Sequence, residues 1–257
     1  MTFPIRATFA LAALMVVLPP AVHAARADTE KVDRTIAFQP GGTLHLKNFS
    51  GRVTITATDQ PQVVIHAVRN ASREQLDRVK LDIQSSGDEI TINANKKMSS
   101  SWHLFHNSDV VETDFDIQVP AKTALELSVF SSPVSVTGVQ GSEQVKGFSS
   151  PITLRDVTGP VEAHTFSGDI DVRSADWKSG AALDAHTFSG DITLQVPKTT
   201  RASIEFKTFS GDLHSDLPLV FNSQTHGTMR AQLNGTESST SDSDFTLRTF
   251  SGDVRIH

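Results

Sequence analysis

The sequence predicts an all-β chain arranged as a parallel β-solenoid, a β-helix-like stack of ~20-residue strand–turn–strand coils. Three observations carry that reading. A phrase built on Phe-Ser-Gly-Asp recurs at Phe49, Phe130, Phe148, Phe166, Phe188, Phe209 and Phe250, and its spacings after the first gap are 18, 18, 22, 21 and 41 residues. Apolar and polar residues alternate with period two on either side of the phrase, as half-buried strands require. Between the two strands stands glycine at Gly51, Gly168, Gly190, Gly211 and Gly252, or proline at Pro133 and Pro151, so the chain can turn there.

The elements follow in order. Residues 1–27 carry Arg6, an apolar run from Ala7 to Leu18, the pair Pro19-Pro20 and then small residues. That layout is a secretory signal peptide, with cleavage expected after Ala24 or Ala27, and its apolar run is too short to span a bilayer. Residues 28–124 read as an N-terminal β-rich part that caps the solenoid. Short strands are expected at Thr35–Phe38, Thr43–Leu46, Arg52–Thr56 and Val63–Val68. Ser72-Arg-Glu-Gln75 is a capping box that can start one short helix. Lys80–Gln84 and Glu89–Asn93 flank Ser-Ser-Gly-Asp as a hairpin. Asn95–Asp109 is polar and irregular, and Val110–Val119 is a strand leading into Pro120.

Residues 125–257 are read as the repeat solenoid with its Phe-Ser-Gly-Asp turns. Three residues before each phenylalanine stand Leu46, Leu127, Val145, Ala163, Ala185, Phe206 and Leu247; four after stand Val53, Val134, Ile152, Ile170, Ile192, Leu213 and Val254. Within the long last gap, Thr228-Met-Arg-Ala-Gln-Leu233 aligns as a worn copy centred on Met229. Stacking turns these side chains into continuous columns, and seven coils at ~4.8 Å would make a rod about 34 Å long. The reading places the phenylalanine ladder in the core. A sandwich or barrel of antiparallel hairpins is the competing arrangement, and identical columns at a fixed period favour the stack.

Composition narrows the function. The chain has 257 residues, no cysteine, 15 phenylalanines, and 23 basic against 29 acidic side chains. Without cysteine there are no disulfides, no thiolate chemistry and no cysteine-ligated metal. Net acidity without a basic run argues against nucleic acid as a partner. Removing the leader takes away two arginines and no acid, which sharpens that balance.

The stretch Thr43-Leu-His-Leu-Lys-Asn-Phe-Ser-Gly-Arg-Val-Thr-Ile, then Phe115-Asp-Ile-Gln-Val-Pro120, the repeated Thr-x-Ser-Gly-Asp-Ile, Leu233-Asn-Gly and Thr249-Phe-Ser-Gly-Asp-Val resemble the bacterial putative adhesin family, β-strand repeat proteins of domain of unknown function 4097. The likeness spans residues 35–257. It implies an envelope or surface location and a role in adhesion or envelope sensing, and it supplies no catalytic residues. The Ser-Ser-Pro copies and the Met-Arg-Ala copy depart from the pattern.

Few residues suggest chemistry. Asp169, Asp191, Asp212 and Asp253 share one repeat position, and like charges ~4.8 Å apart repel by about 0.9 kcal/mol per pair even in bulk water. They are weak candidates for calcium, because the calcium-binding β-roll has a nine-residue rhythm that is absent here. Lys47, Lys146, His164, His186, Lys207 and Arg248, two residues before their phenylalanines, are expected to lie beside these acids and balance them. His103, His106 and Asp109 have metal-like spacing in a segment that reads as an exposed loop. Gly147-Phe-Ser-Ser-Pro lacks the closing glycine of a nucleophile elbow.

The expectation is a non-enzymatic protein without cofactor, exported to the periplasm or the outside. As an adhesin or scaffold, it would present a repetitive β surface to an envelope protein or glycan. A polysaccharide-active β-helix enzyme and a calcium-dependent adhesin are the alternatives. No membrane-spanning segment is expected after signal cleavage. The chain stops soon after its last phrase, so self-association through a C-terminal solenoid edge is expected.

Overall fold

A computed structural model describes residues 28–97, 110–177, 180–225, 227–235 and 243–257. The expected leader, residues 1–27, and the His103, His106 and Asp109 group lie outside the described residues. Strands β1 (Asp28–Ala37), β2 (Thr43–Ser50), β3 (Val53–Thr58) and β4 (Gln62–Ala71) precede one short helix, α1 (Arg73–Arg78), and then β5 (Val79–Ser86), β6 (Glu89–Lys97) and β7 (Glu112–Pro120). Paired strands follow: β8 (Ala124–Ser131) with β9 (Val134–Thr137), β10 (Glu143–Ser149) with β11 (Ile152–Arg155), β12 (Val161–Ser167) with β13 (Ile170–Arg173), and β14 (Ala182–Ser189) with β15 (Ile192–Gln195). The chain ends through β16 (Ala202–Lys207), β17 (Leu213–Ser215), β18 (Leu219–Thr225), β19 (Thr228–Leu233), β20 (Asp244–Ser251) and β21 (Val254–Ile256).

The first strand of each coil joins one sheet and the second joins the other. One sheet has ten strands in the order β1-β4-β7-β3-β9-β11-β13-β15-β21-β17; its partner has eleven, β18-β19-β16-β20-β14-β12-β10-β8-β2-β6-β5. Neither closes into a barrel. The coils pair in parallel and in register, Val145 beside Leu127 and Ala163, and Leu154 beside Val136 and Val172. This settles the competition with a hairpin sandwich, since consecutive hairpins cannot give parallel neighbours. Antiparallel strands stand only towards the ends, β1, β4 and β5 at one and β18 and β19 at the other. The apolar columns three before and four after each phenylalanine fill the space between the sheets, and all but Leu213 are buried.

Local chemistry explains the elements. Ser72 and Gln75 form the capping box, with the Gln75 amide donating to Ser72 Oγ and the Ser72 amide donating to Gln75 Oε1. The Ser-Ser-Gly-Asp stretch joins β5 and β6 as the expected hairpin. At the turn between β20 and β21, Gly252 has φ +149°, and a Cβ there would lie 2.0 Å from the carbonyl oxygen of Gly190 in the neighbouring coil. Only glycine lets the turns approach so closely.

Two expectations about the repeat fail. The coil of Phe250 does not stack last: β20 lies between β14 and β16, and β21 between β15 and β17, so the final segment of chain inserts between the coils of Phe188 and Phe209. The Met229 segment is no worn coil. As β19 it runs antiparallel to both β16 and β18. The C-terminal strand is consequently paired on both sides, and the edge strand at that end of its sheet is β17.

Candidate functional site

The repeated phenylalanines do not form the core. Phe49, Phe130, Phe148, Phe166, Phe188, Phe250 and Phe209 stand in that spatial order on the outside, between 41% and 79% exposed. Parity dictates this. An inward residue three positions before the phenylalanine makes the position just before it inward as well, and the phenylalanine itself outward. The inward position just before it is held by Asn48, Val129, Thr165, Thr187 and Thr249, all buried. Thr187 Oγ1 donates to the Gly168 carbonyl at 3.0 Å and Thr249 Oγ1 to the Gly190 carbonyl at 3.2 Å, which tie each coil to its neighbour.

Successive rings stack at 4.5–5.1 Å between centroids with interplanar angles of 2–12°. Six such steps at sheet spacing make a ladder about 29 Å long. Because the rings lie face to face along the stack, the five inner rings have both faces covered and their edges point outward, while Phe49 and Phe209 at the ends are each stacked on one face. The outer surface is therefore a continuous hydrocarbon ridge, not a row of open faces on which sugar rings could stack.

Two polar columns run beside the ridge on the same sheet face. The basic column, two residues before each phenylalanine, does not balance the turn aspartates as expected. It faces acids two residues further back: Lys146 Nζ lies 3.5 Å from Glu162, His164 reaches Glu162 and Asp184 at 3.6 and 3.5 Å, and Arg248 lies 3.3 Å from Glu205. Glu162 is held below the usual carboxylate range first by the Gln144 amide and then by Lys146 and His164. Desolvation, reinforced by His164, pushes the His186 imidazole below its ordinary value.

On the other side of the ridge the turn position reads, in spatial order, Asp114, Arg52, Pro133, Pro151, Asp169, Asp191, Asp253 and Asp212. The four candidate aspartates do form one column, and backbone amides relieve their repulsion. Asp191 N donates to Asp169 Oδ1 at 2.9 Å, Asp253 N to Asp191 Oδ1 at 2.9 Å, and Asp212 N to Asp253 Oδ1 at 3.1 Å. Arg255 adds bonds to Asp191 at 2.5 Å and Asp253 at 2.9 Å. These bonds hold Asp191 below the usual carboxylate range, Arg255 most of all. With those oxygens engaged, the column does not gather the six to eight converging oxygens that calcium takes. Asp212, His214 and Asp253 bring ligand atoms within 4.8 Å of one another at the far end, on the surface.

Sequence reading missed two features. A groove of about 440 Å³ lies at the Phe49 end of the ridge, lined by Phe49, Phe130 and Phe148 together with Lys47 and Lys146. Glu143 is the second. It occupies an inward column between Leu125 and Val161, only 2% exposed, and burial pushes its carboxyl up to about 8. An acid in a column otherwise held by Leu44, Leu125, Val161, Leu183, Ile204 and Phe245 was the available signal.

Among the described residues no helix is long and apolar enough to cross a membrane. No curated protein matches the sequence. Several solved structures align with most of the chain. One from Clostridium sporogenes, named a putative cell adhesion protein, is 14% identical over 88% of this chain and 99% of its own, with a TM-score of 0.47. One from Bacteroides fragilis, named a putative adhesin, is 9% identical over 89% and 97%, with a TM-score of 0.41. One from Parabacteroides distasonis, named a putative lipid binding protein, is 10% identical over 88% and 96%, with a TM-score of 0.34. The family model described as Toastrack DUF4097 matches residues 134–257. The resemblance read from the turn phrase is thus borne out over that span, where residues 134–257 match the Toastrack DUF4097 model.

Proposed function

We propose that this is a non-enzymatic protein of the cell envelope or surface, exported through its N-terminal leader, which acts as an adhesin or scaffold. The exposed phenylalanine ridge carries the reading. Seven large apolar rings held outside the core by strand parity exceed what a surface needs for folding, and contiguous exposed apolar area marks interaction sites. The coils supply a rigid ruler for it, every step set by ladder hydrogen bonds. The antiparallel strands at both ends act as caps.

The acids on the surface support no hydrolytic reading. Asp169, Asp191 and Asp253 accept backbone amide bonds, and Glu162, Asp184 and Glu205 beside the basic column form ion pairs. Affinity capture on the immobilised protein should enrich a discrete set of envelope components, and screens on uronate-containing glycans should show no depolymerisation. Depolymerisation abolished by Asp191→Asn would overturn this reading in favour of a polysaccharide-active enzyme.

A further inference from the structure

We propose that the groove at the Phe49 end of the ridge binds a single anionic amphiphile, a long-chain carboxylate whose alkyl chain lies against the ring edges of Phe49, Phe130 and Phe148 while its head meets Lys47 and Lys146. This deepens the reading of the ridge as a binding face and rests on it.

Three observations converge on one place. The ridge is flanked by turn aspartates over Phe166, Phe188, Phe250 and Phe209, but beside the groove that column holds Arg52, Pro133 and Pro151 instead. The Ser-Ser-Pro copies, which look like decay of the repeat, are thus the ones that remove carboxylates from this site. On the other side stand Lys47, which has no ion-pair partner among the described residues, and Lys146, whose one ion pair is the 3.5 Å contact to Glu162. Asp114, one coil beyond Arg52, accepts the Arg52 amide at 2.7 Å. The groove's volume falls within the ~300–1,000 Å³ of small-ligand sites.

The chemistry of the walls selects the ligand. Phe130 and Phe148 are stacked on both faces and offer only their edges, and Phe49 is stacked on one face, so most of the wall gives hydrocarbon contact rather than faces for sugar stacking and the bound body is an apolar chain. Two cations line the groove, Lys47 and Lys146, and the turn aspartates of the repeat are replaced on the other side of the ridge by Arg52, Pro133 and Pro151, which together call for an anionic head. Farther along the ridge, Asp169, Asp191, Asp253 and Asp212 would repel such a head, which confines binding to one end.

The test is calorimetric titration of the protein, purified as its host exports it, with dodecanoate and with dodecyltrimethylammonium, both kept below micelle formation. The proposal expects saturable one-to-one binding of dodecanoate and at least ten-fold weaker binding of the cationic chain. The double variant K47E/K146E should lose at least ten-fold for dodecanoate, as should F130S; both changes are at exposed side chains, and circular dichroism checks the fold. F209S, at the far end beside Asp212, should bind as wild type does. Equal affinity for both head groups, undiminished binding by F130S, or no saturation would overturn the site. So would two other outcomes: sedimentation with phosphatidylglycerol vesicles that dodecanoate does not compete away, which assigns the face to a bilayer, or dimerisation that F130S abolishes and dodecanoate leaves intact, which assigns it to a second copy. If dodecanoate fails while F130S still loses captured envelope material, this inference falls and the ridge remains a binding face.

Discussion

The Asp253 amide donates to Asp191 Oδ1 at 2.9 Å although the two residues are 62 positions apart in the chain. That bond records how the final coil is seated, on the Phe188 coil and ahead of the Phe209 coil, and Arg255 clamps the same carboxylate from the side.

Replacing Asp191 by Ala should therefore cost about 1–2 kcal/mol, the worth of a charge-assisted bond and an amide bond partly screened by solvent. Asp191 is held below its ordinary range when folded, so its contribution is present above the unfolded value of 3.8 and is lost as pH falls through the lower folded value. Urea melts of wild type and Asp191→Ala should differ at pH 7 and converge in strong acid.

Gly252→Ala should be far more damaging than its size suggests, because the new Cβ meets the Gly190 carbonyl at 2.0 Å from a backbone with φ +149°. A loss of roughly 3 kcal/mol or more is expected, against about 1 kcal/mol at Gly87, where the added atom meets nothing within 4 Å. Thermal denaturation of the two variants measures the contrast.

The ridge and the core should respond in opposite proportion to their apolar size. Phe148→Ser removes a half-exposed ring and its stacking, about 1 kcal/mol, whereas Leu154→Ala opens a cavity between the sheets at about 2–5 kcal/mol. Equal losses in denaturant melts would put the phenylalanines back in the core.

Glu143 makes stability fall with rising pH. Its carboxyl is raised from 4.5 to about 8, so across that window the folded chain keeps a proton that the unfolded chain releases. Glu143→Val should abolish this slope and stabilise the protein at pH 8 by roughly 1–3 kcal/mol, the cost of an unpartnered buried polar group. Melting curves at pH 5 and pH 8 test both halves: a variant no more stable than wild type at pH 8 contradicts the account.

The repeat, its two strands per coil, the capping-box helix at Ser72 and the hairpin around Gly87 were all legible, since each rests on short-range pattern. The outward face of the phenylalanines was legible too. The alternation that put Leu127 and Val145 inside had already put Phe130 and Phe148 outside, and aromatic hydrophobicity is the wrong guide once parity is set. The order of the last coils was not legible. Phe188, Phe209 and Phe250 carry the same phrase, so nothing local distinguishes which coil stacks on which, and long-range pairing decides. The groove was hidden for the same reason. It joins Lys47 on β2 to Lys146 on β10, residues about a hundred positions apart, and only the stacked coils bring them to one rim.

On the proposed function, the phenylalanine ridge is the working surface. Its most direct measurement is retention of envelope material by immobilised wild-type protein and by the triple variant F130S/F148S/F166S, matched for melting behaviour. The triple variant, folded and with its core columns intact, should lose most of what wild type retains. Equal retention by the two would contradict it.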